Sequence, residues 1–244
     1  MAAFERQESY ISDLDSVGGL TPMGYCPALL FLKGVEPDNH GVTMEPSHSE
    51  AACVPCHPLD GKLIITGLAS GYNHARTSVQ SAVLFVREHL ERLTTLLGTP
   101  SIDFEKRVRL NSYGKPIKDG AVDIILRVPP YFDSALFAAS MVMAIITMIW
   151  RKPSLRDWSV AGTVRPDGML IGFPIADELY LEEADNCRFK TIVLSKSNAE
   201  AALTAATAQR LDLQQMQMRV ISCETMMDVV RAAMEHWNGL QAVS

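Results

Sequence analysis

From Ser134 to Trp150 the chain reads SALFAASMVMAIITMIW, 17 residues without a charge, bounded by Asp133 on one side and Arg151-Lys152 on the other. No face of a helix built from this run is polar, so it can sit only in a bilayer or in the middle of a protein core. A membrane span needs about 20 apolar residues, and this run is shorter and carries Ser134, Ser140 and Thr147. The reading is therefore a buried central helix, and the rest of the chain has to supply the layers that cover it.

The composition can do that. The chain has 244 residues, 48% of them hydrophobic and 20% charged, which excludes disorder over most of its length. With 22 Lys+Arg against 28 Asp+Glu the formal net charge is −6, so there is no overall basic field for binding nucleic acid. Five cysteines are too few for a disulfide scaffold and fit a reducing compartment. Met1–Ser16 is acidic and polar, without the marks of a signal or transit peptide, and the default expectation is cytoplasmic.

Strands and helices alternate along the chain, predicting one α+β domain over residues 18–244 behind a polar extension, residues 1–17. Tyr25–Val35 and Gly61–Leu68 read as strands, and Glu36–Asp60, rich in Pro, His and acid, as a long insertion loop between them. Gly71–Gly98 reads as a helix, because Val79, Val83, Val86, Leu90, Leu93 and Leu97 recur at three- and four-residue steps and Gly98 and Pro100 stop it. Arg107–Leu110 and Val122–Val128 are strand-like. Trp158–Ile171 reads as two short strands around Pro166-Asp167-Gly168, and Ala176–Cys187 as a short helix. Strand, Ala-rich helix, strand and helix then follow at Lys190–Leu194, Asn198–Leu211, Arg219–Ser222 and Glu224–Trp237.

In this order the pieces resemble a known family. GKLIITGLASGYNHARTSVQSAVLFVREHLERL, DIILRVP, Trp158–Gly172, KTIVLSK and Arg219–Met234 are similar, at weak identity but in sequence, to segments of the proteolytic domain of Lon proteases, from about Gly18 to Trp237. The resemblance implies that family's α+β fold, like the second domain of a ribosomal protein, with mixed sheets and packed helices. It also implies self-association, since the family's members work as hexameric rings attached to an ATPase. No Gly-x-x-x-x-Gly-Lys-Ser/Thr run is present here, so this chain carries no ATP site.

The family's chemistry is a Ser–Lys dyad, in which a Lys of depressed pKa takes the proton of a Ser hydroxyl. The family places its Ser in Pro-Lys-Asp-Gly-Pro-Ser-Ala-Gly; this chain has YFDSALFAA. Aligned back from Pro153, Asp133 matches the motif's Asp and Leu136 occupies the Ser position, leaving Ser134 as the one nearby hydroxyl. The Lys position falls on Leu179, or on Tyr180 with a one-residue shift, and there is no lysine between Lys152 and Lys190. The Thr and Glu of the family's Thr-Gly-Glu are Ala161 and Thr163, and its two strand histidines are Ile125 and Arg127. The resemblance thus implies a protease shell without its dyad. The weak catalytic candidates are Ser134 and Asp133, with Asp177 or Glu178 as further carboxylates for the base; the bland reading is that Asp133 or Ser134 caps the buried helix.

Cys53-Val54-Pro55-Cys56-His57 is the other chemistry-bearing run. Haem attachment through Cys-x-x-Cys-His needs an exported protein, whereas Cys53 and Cys56 with His57 and His48 (or His40) form a possible zinc set. Against that stands the reading of plain loop thiols or a redox pair. Cys26, Cys187 and Cys223 border apolar strands and read as small core side chains, His74 as a solvated side chain, and the 12 methionines chiefly as core filling. The expectation is a non-enzymatic module that self-associates or binds a protein partner, with no nucleic acid, membrane or cofactor. Its rivals are an active Lon-type serine peptidase, ATP-independent or ATPase-assisted, and a zinc-binding interaction protein.

Overall fold

The computed structural model describes residues 25–35, 42–55, 63–66, 73–100, 122–127, 136–172 and 179–243. They form a mixed α+β architecture. Strands β1 (Tyr25–Val35), β2 (Val42–Pro55), β3 (Leu63–Thr66) and β4 (Val122–Arg127) make a four-stranded sheet in the order β1-β2-β4-β3, antiparallel except for the parallel β3–β4 pair. Strands β5 (Trp158–Val160), β8 (Thr191–Ser195) and β9 (Arg219–Cys223) make a parallel sheet, with Trp158, Thr191 and Arg219 in register. Between them in sequence, β6 (Thr163–Val164) and β7 (Leu170–Ile171) form a small hairpin.

The segment read as a long loop is largely strand β2, a correction to the sequence reading. Its Glu, Ser and His content hides it, and so does Pro46. Pairing explains how a proline fits: β4 covers β2 only over Glu50–Pro55, so at Pro46, opposite Phe31, no strand among the described residues lies on the other edge of β2. Pro27 likewise lies on β1, an edge strand. The predicted strand at Arg107–Leu110 lies outside the described residues.

The apolar run becomes α3 (Ala138–Ile149), with every residue from Ala138 to Thr147 buried. It packs on α1 (Asn73–Glu88), on β1 and β2, and on β5 and β6, which is how one wholly apolar helix is covered from all sides. Its two polar residues are satisfied within the helix: Ser140 Oγ donates to the Phe137 carbonyl and Thr147 Oγ1 to the Ala144 carbonyl, both at 3.0 Å. No described helix is long and apolar enough to cross a membrane. One apolar core, from Cys26 to Trp237, joins both sheets.

The long helix predicted over Gly71–Gly98 is broken once, giving α1 and α2 (Leu90–Leu97). At the break the His89 ring stacks on Phe85 with centroids 4.4 Å apart, and its Nδ1 lies 3.0 Å from the Phe85 carbonyl, which also accepts the His89 amide. His74 falls in the first turn of α1 rather than before it. The second half of the chain alternates helix and strand through α4 (Leu179–Asn186), α5 (Lys196–Gln209) and α6 (Met226–Val243), with α5 packed on β8 and β9. A capping box opens α6: Thr225 N–H and Oγ1 donate to Asp228 Oδ2, and the Asp228 amide donates to Thr225 Oγ1. Partial burial works against the Asp228 carboxylate, but the Thr225 hydrogen bonds and Arg231 outweigh it and hold its pKa below the usual value.

Four helices end in the same closure, with an amide reaching back five residues around a left-handed residue. In α2 the left-handed residue is Gly98, with the Thr99 amide on the Thr94 carbonyl. In α3, α4 and α5 it is Arg151, Arg188 and Arg210, at φ of 53°, 61° and 59°. A side chain in this conformation costs about 1 kcal/mol, only partly offset by a cation's attraction to the helix C-terminus. Arg210→Gly is therefore expected to raise stability by about 0.5–1 kcal/mol, read as a higher urea midpoint at unchanged slope.

Candidate functional site

The resemblance directs attention to the head of α3, the strand leading out of β5, and the start of α4. At the head of α3 the Leu136 carbonyl accepts the Gly162 amide at 2.9 Å, and the Gly162 carbonyl accepts the Ala139 amide at 3.1 Å. An amide of the first helical turn, the kind of donor that would otherwise face an anion, is thereby spent on the protein's own backbone. The cap residue is Phe137, fully buried and with no side-chain cap bond, so the expectation that Asp133 or Ser134 caps this helix is corrected. Both of those residues lie outside the described ones.

Leu136, which the resemblance aligns with the family's nucleophile, is half-buried and packs against the core. Ala161 is fully buried, and Thr163 sits half-buried in β6. Between them Gly162 has φ +147°, and a Cβ there would come within 2.8 Å of Leu170 Cδ1 and 2.9 Å of the Ile171 carbonyl oxygen. Only glycine fits where β7 and the head of α3 close on this point.

At the start of α4, Leu179 is the first helical residue and Tyr180 is fully buried, its hydroxyl hydrogen-bonded with the buried Ser159 on β5. Burial pushes the Tyr180 pKa up, further than the hydrogen bond with Ser159 lowers it. A phenol held neutral in this way is no proton acceptor for a serine. Lys152, Lys190 and Lys196, the lysines whose side chains are described, give no base either. Lys196 is exposed and ion-paired with Glu224 at 2.9 Å, and that hydrogen bond raises its pKa, the opposite of what an amine base needs. Lys152 lies over the Trp237 ring at 6.0 Å, and Lys190 is exposed. Asp177 and Glu178 lie outside the described residues. Ile125 and Arg127 are on β4, opposite Ala52 and Glu50 of β2.

Strand β2 also rearranges the zinc set. Cys53 lies opposite Ile124 and His48 opposite Leu29, five positions apart in one extended strand, about 17 Å of chain. Cys56, His57 and His40 lie outside the described residues. Among the described residues no group of three or more His, Cys, Asp or Glu is placed to hold a metal ion. Cys26 and Cys223 are buried free thiols, and Cys187 is half-buried. Burial, with Asp228 nearby, pushes the Cys223 thiol up to about 12, and burial alone pushes Cys26 up as well.

A tight joint beside α5 escaped the sequence reading. Ser195 Oγ donates to Asn198 Oδ1 at 2.9 Å across the first turn of the helix, and the Gly172 backbone lies directly against both side chains. The signal was present: a Ser three residues before an Asn at a strand-to-helix junction, and a lone Gly at the end of a strand, where another group comes close. No family model matches the chain, and no curated protein matches it.

Proposed function

We propose that this chain is a Lon-proteolytic-type domain that has lost peptide hydrolysis and acts by binding, through self-association or a protein partner. The observation that carries the reading is the head of α3. Leu136, which the resemblance aligns with the family's serine, has no nucleophilic atom, and the Gly162 and Ala139 amides beside it are spent on backbone carbonyls. The neutral, buried Tyr180 at the start of α4 supports the same reading, because the amine that would generate an alkoxide is replaced by groups that cannot take a proton near neutral pH. The order of strands and helices from β1 to α6 supports the family's fold, and the free thiols at Cys26 and Cys223 support a reducing, cytoplasmic setting.

The test is proteolysis itself. Pure protein incubated with casein is expected to leave it intact over a day. Digestion that disappears in the Ser134→Ala variant would establish an active peptidase instead. Mass photometry of the same sample measures self-association: a single species of monomer mass would remove that half of the proposal and leave partner binding.

A further inference from the structure

The parallel sheet has two ends, and one of them is strongly basic. Helices α3, α4 and α5 each feed β5, β8 and β9 through a short connection, so three helix ends and three connections converge where those strands begin. The first connection holds Arg151, Lys152 and Arg156; the second holds Arg188 and Lys190; the third starts at Arg210 and runs into Arg219, the first residue of β9. The backbone ties them together: the Lys190 amide donates to the Asp157 carbonyl at 2.7 Å, and the Arg219 amide to the Lys190 carbonyl at 2.8 Å. A chain with 28 acidic and 22 basic residues thus gathers seven cations here, against Asp157 and Asp212 in the connections and Asp185 in the last turn of α4. Arg151, Arg188, Lys190, Arg210 and Arg219 are exposed, and no described carboxylate pairs with them. Three of these cations occupy the left-handed positions where glycine would be cheaper, so the charge is kept at some cost in stability.

We propose that this edge is a docking surface for an acidic peptide segment of a partner protein, one that carries apolar residues beside its carboxylates. Charge complementarity sets the first half of that description. The second half comes from the groove that adjoins Arg210, an open hollow of about 410 Å³ lined by Leu203, Ala206, Leu211 and Leu213 together with Arg210 and Asp212. Leu203 there is 43% exposed. A carboxylate on Arg210 would place a neighbouring apolar side chain in this hollow. Nucleic acid fits less well, because the nearby rings of Trp150, Trp158 and Trp237 are buried and present no face for stacking bases. The inference deepens the partner-binding part of the proposed function. It lies away from the head of α3, so casein digestion would refute the loss of catalysis and leave this surface untouched.

The experiment is fluorescence anisotropy on the full chain in about 50 mM salt, where surface electrostatics are least screened. The probe is a fluorescein-labelled peptide of alternating Glu and Leu. The wild type is expected to bind it and to bind its Gln-for-Glu counterpart about ten-fold more weakly. The Arg188→Glu/Arg219→Glu variant is expected to lose about ten-fold in affinity. Arg87→Glu/Arg92→Glu changes the net charge equally at exposed sites on α1 and α2 and is expected to bind as the wild type does. Circular dichroism establishes that both variants are folded. Absence of wild-type binding, or equal losses in the two variants, would overturn the proposal. Tighter binding of a DNA oligonucleotide or of phosphatidylserine vesicles than of the peptide would also overturn it.

Discussion

Gly172→Ala is expected to destabilise the protein by about 3 kcal/mol or more, a large share of the stability of an ordinary domain. A Cβ at this position would overlap Asn198 Oδ1 and Ser195 Oγ. Neither atom can step aside cheaply. Asn198 and Ser195 are 7% and 4% exposed, on short side chains held by their own 2.9 Å hydrogen bond at the start of α5. Making room would break that bond or lift the end of β7 away from α5, and either change strands buried polar atoms. Urea unfolding followed by circular dichroism measures the effect. In a Ser195→Ala/Asn198→Ala background the same glycine change is expected to cost clearly less, since the overlapping atoms are gone. An equal cost in both backgrounds would locate the strain elsewhere.

The second large effect is Trp158→Ala, expected to cost about 3–5 kcal/mol. Trp158 is 1% exposed, opens β5 in register with Thr191 of β8, and meets the His236 ring of α6 at 5.3 Å between centroids. Its removal would leave a hollow between the parallel sheet and the last helix. Its indole N–H has no acceptor among the described residues, so Trp158→Phe gives up volume without a described hydrogen bond and is expected to cost much less. Trp237 makes the contrast: its Nε1–H donates to the Pro153 carbonyl at 3.1 Å, so Trp237→Phe loses a bond as well as packing. Both Trp158 variants are read by the same denaturant unfolding.

What could be read in advance follows from how locally each element is encoded. The α3 run is apolar on every side, so its burial follows from composition alone. β1, β4, β8 and β9 are short apolar or β-branched runs, bounded closely enough by turn residues to be found within a residue or two. β2 was invisible because its stability comes from partners on β1 and β4, distant in sequence, and not from its own Glu, Ser, His and Pro content. The hairpin at β6 and β7 was legible from Pro166-Asp167-Gly168, and Gly168 has the positive φ, +86°, that the turn asks of it. For the candidate site, the sequence could name the positions the resemblance points to: Leu136, Leu179, Ala161. It could not name their surroundings. The Gly162 bonds at the head of α3 and the Tyr180–Ser159 pair join segments more than 20 residues apart, and no spacing rule reaches that far. The basic edge was hidden for the same reason, since its cations gather only when three strands align in parallel.

A serine-reactive fluorophosphonate, followed by intact-mass spectrometry of the full chain, tests the loss of catalysis most directly. The reagent captures an activated hydroxyl whether or not a good substrate is known. The account predicts an unmodified mass after prolonged exposure, equal to that of the Ser134→Ala variant treated in parallel. A single adduct that maps to Ser134 and is absent from that variant would contradict it.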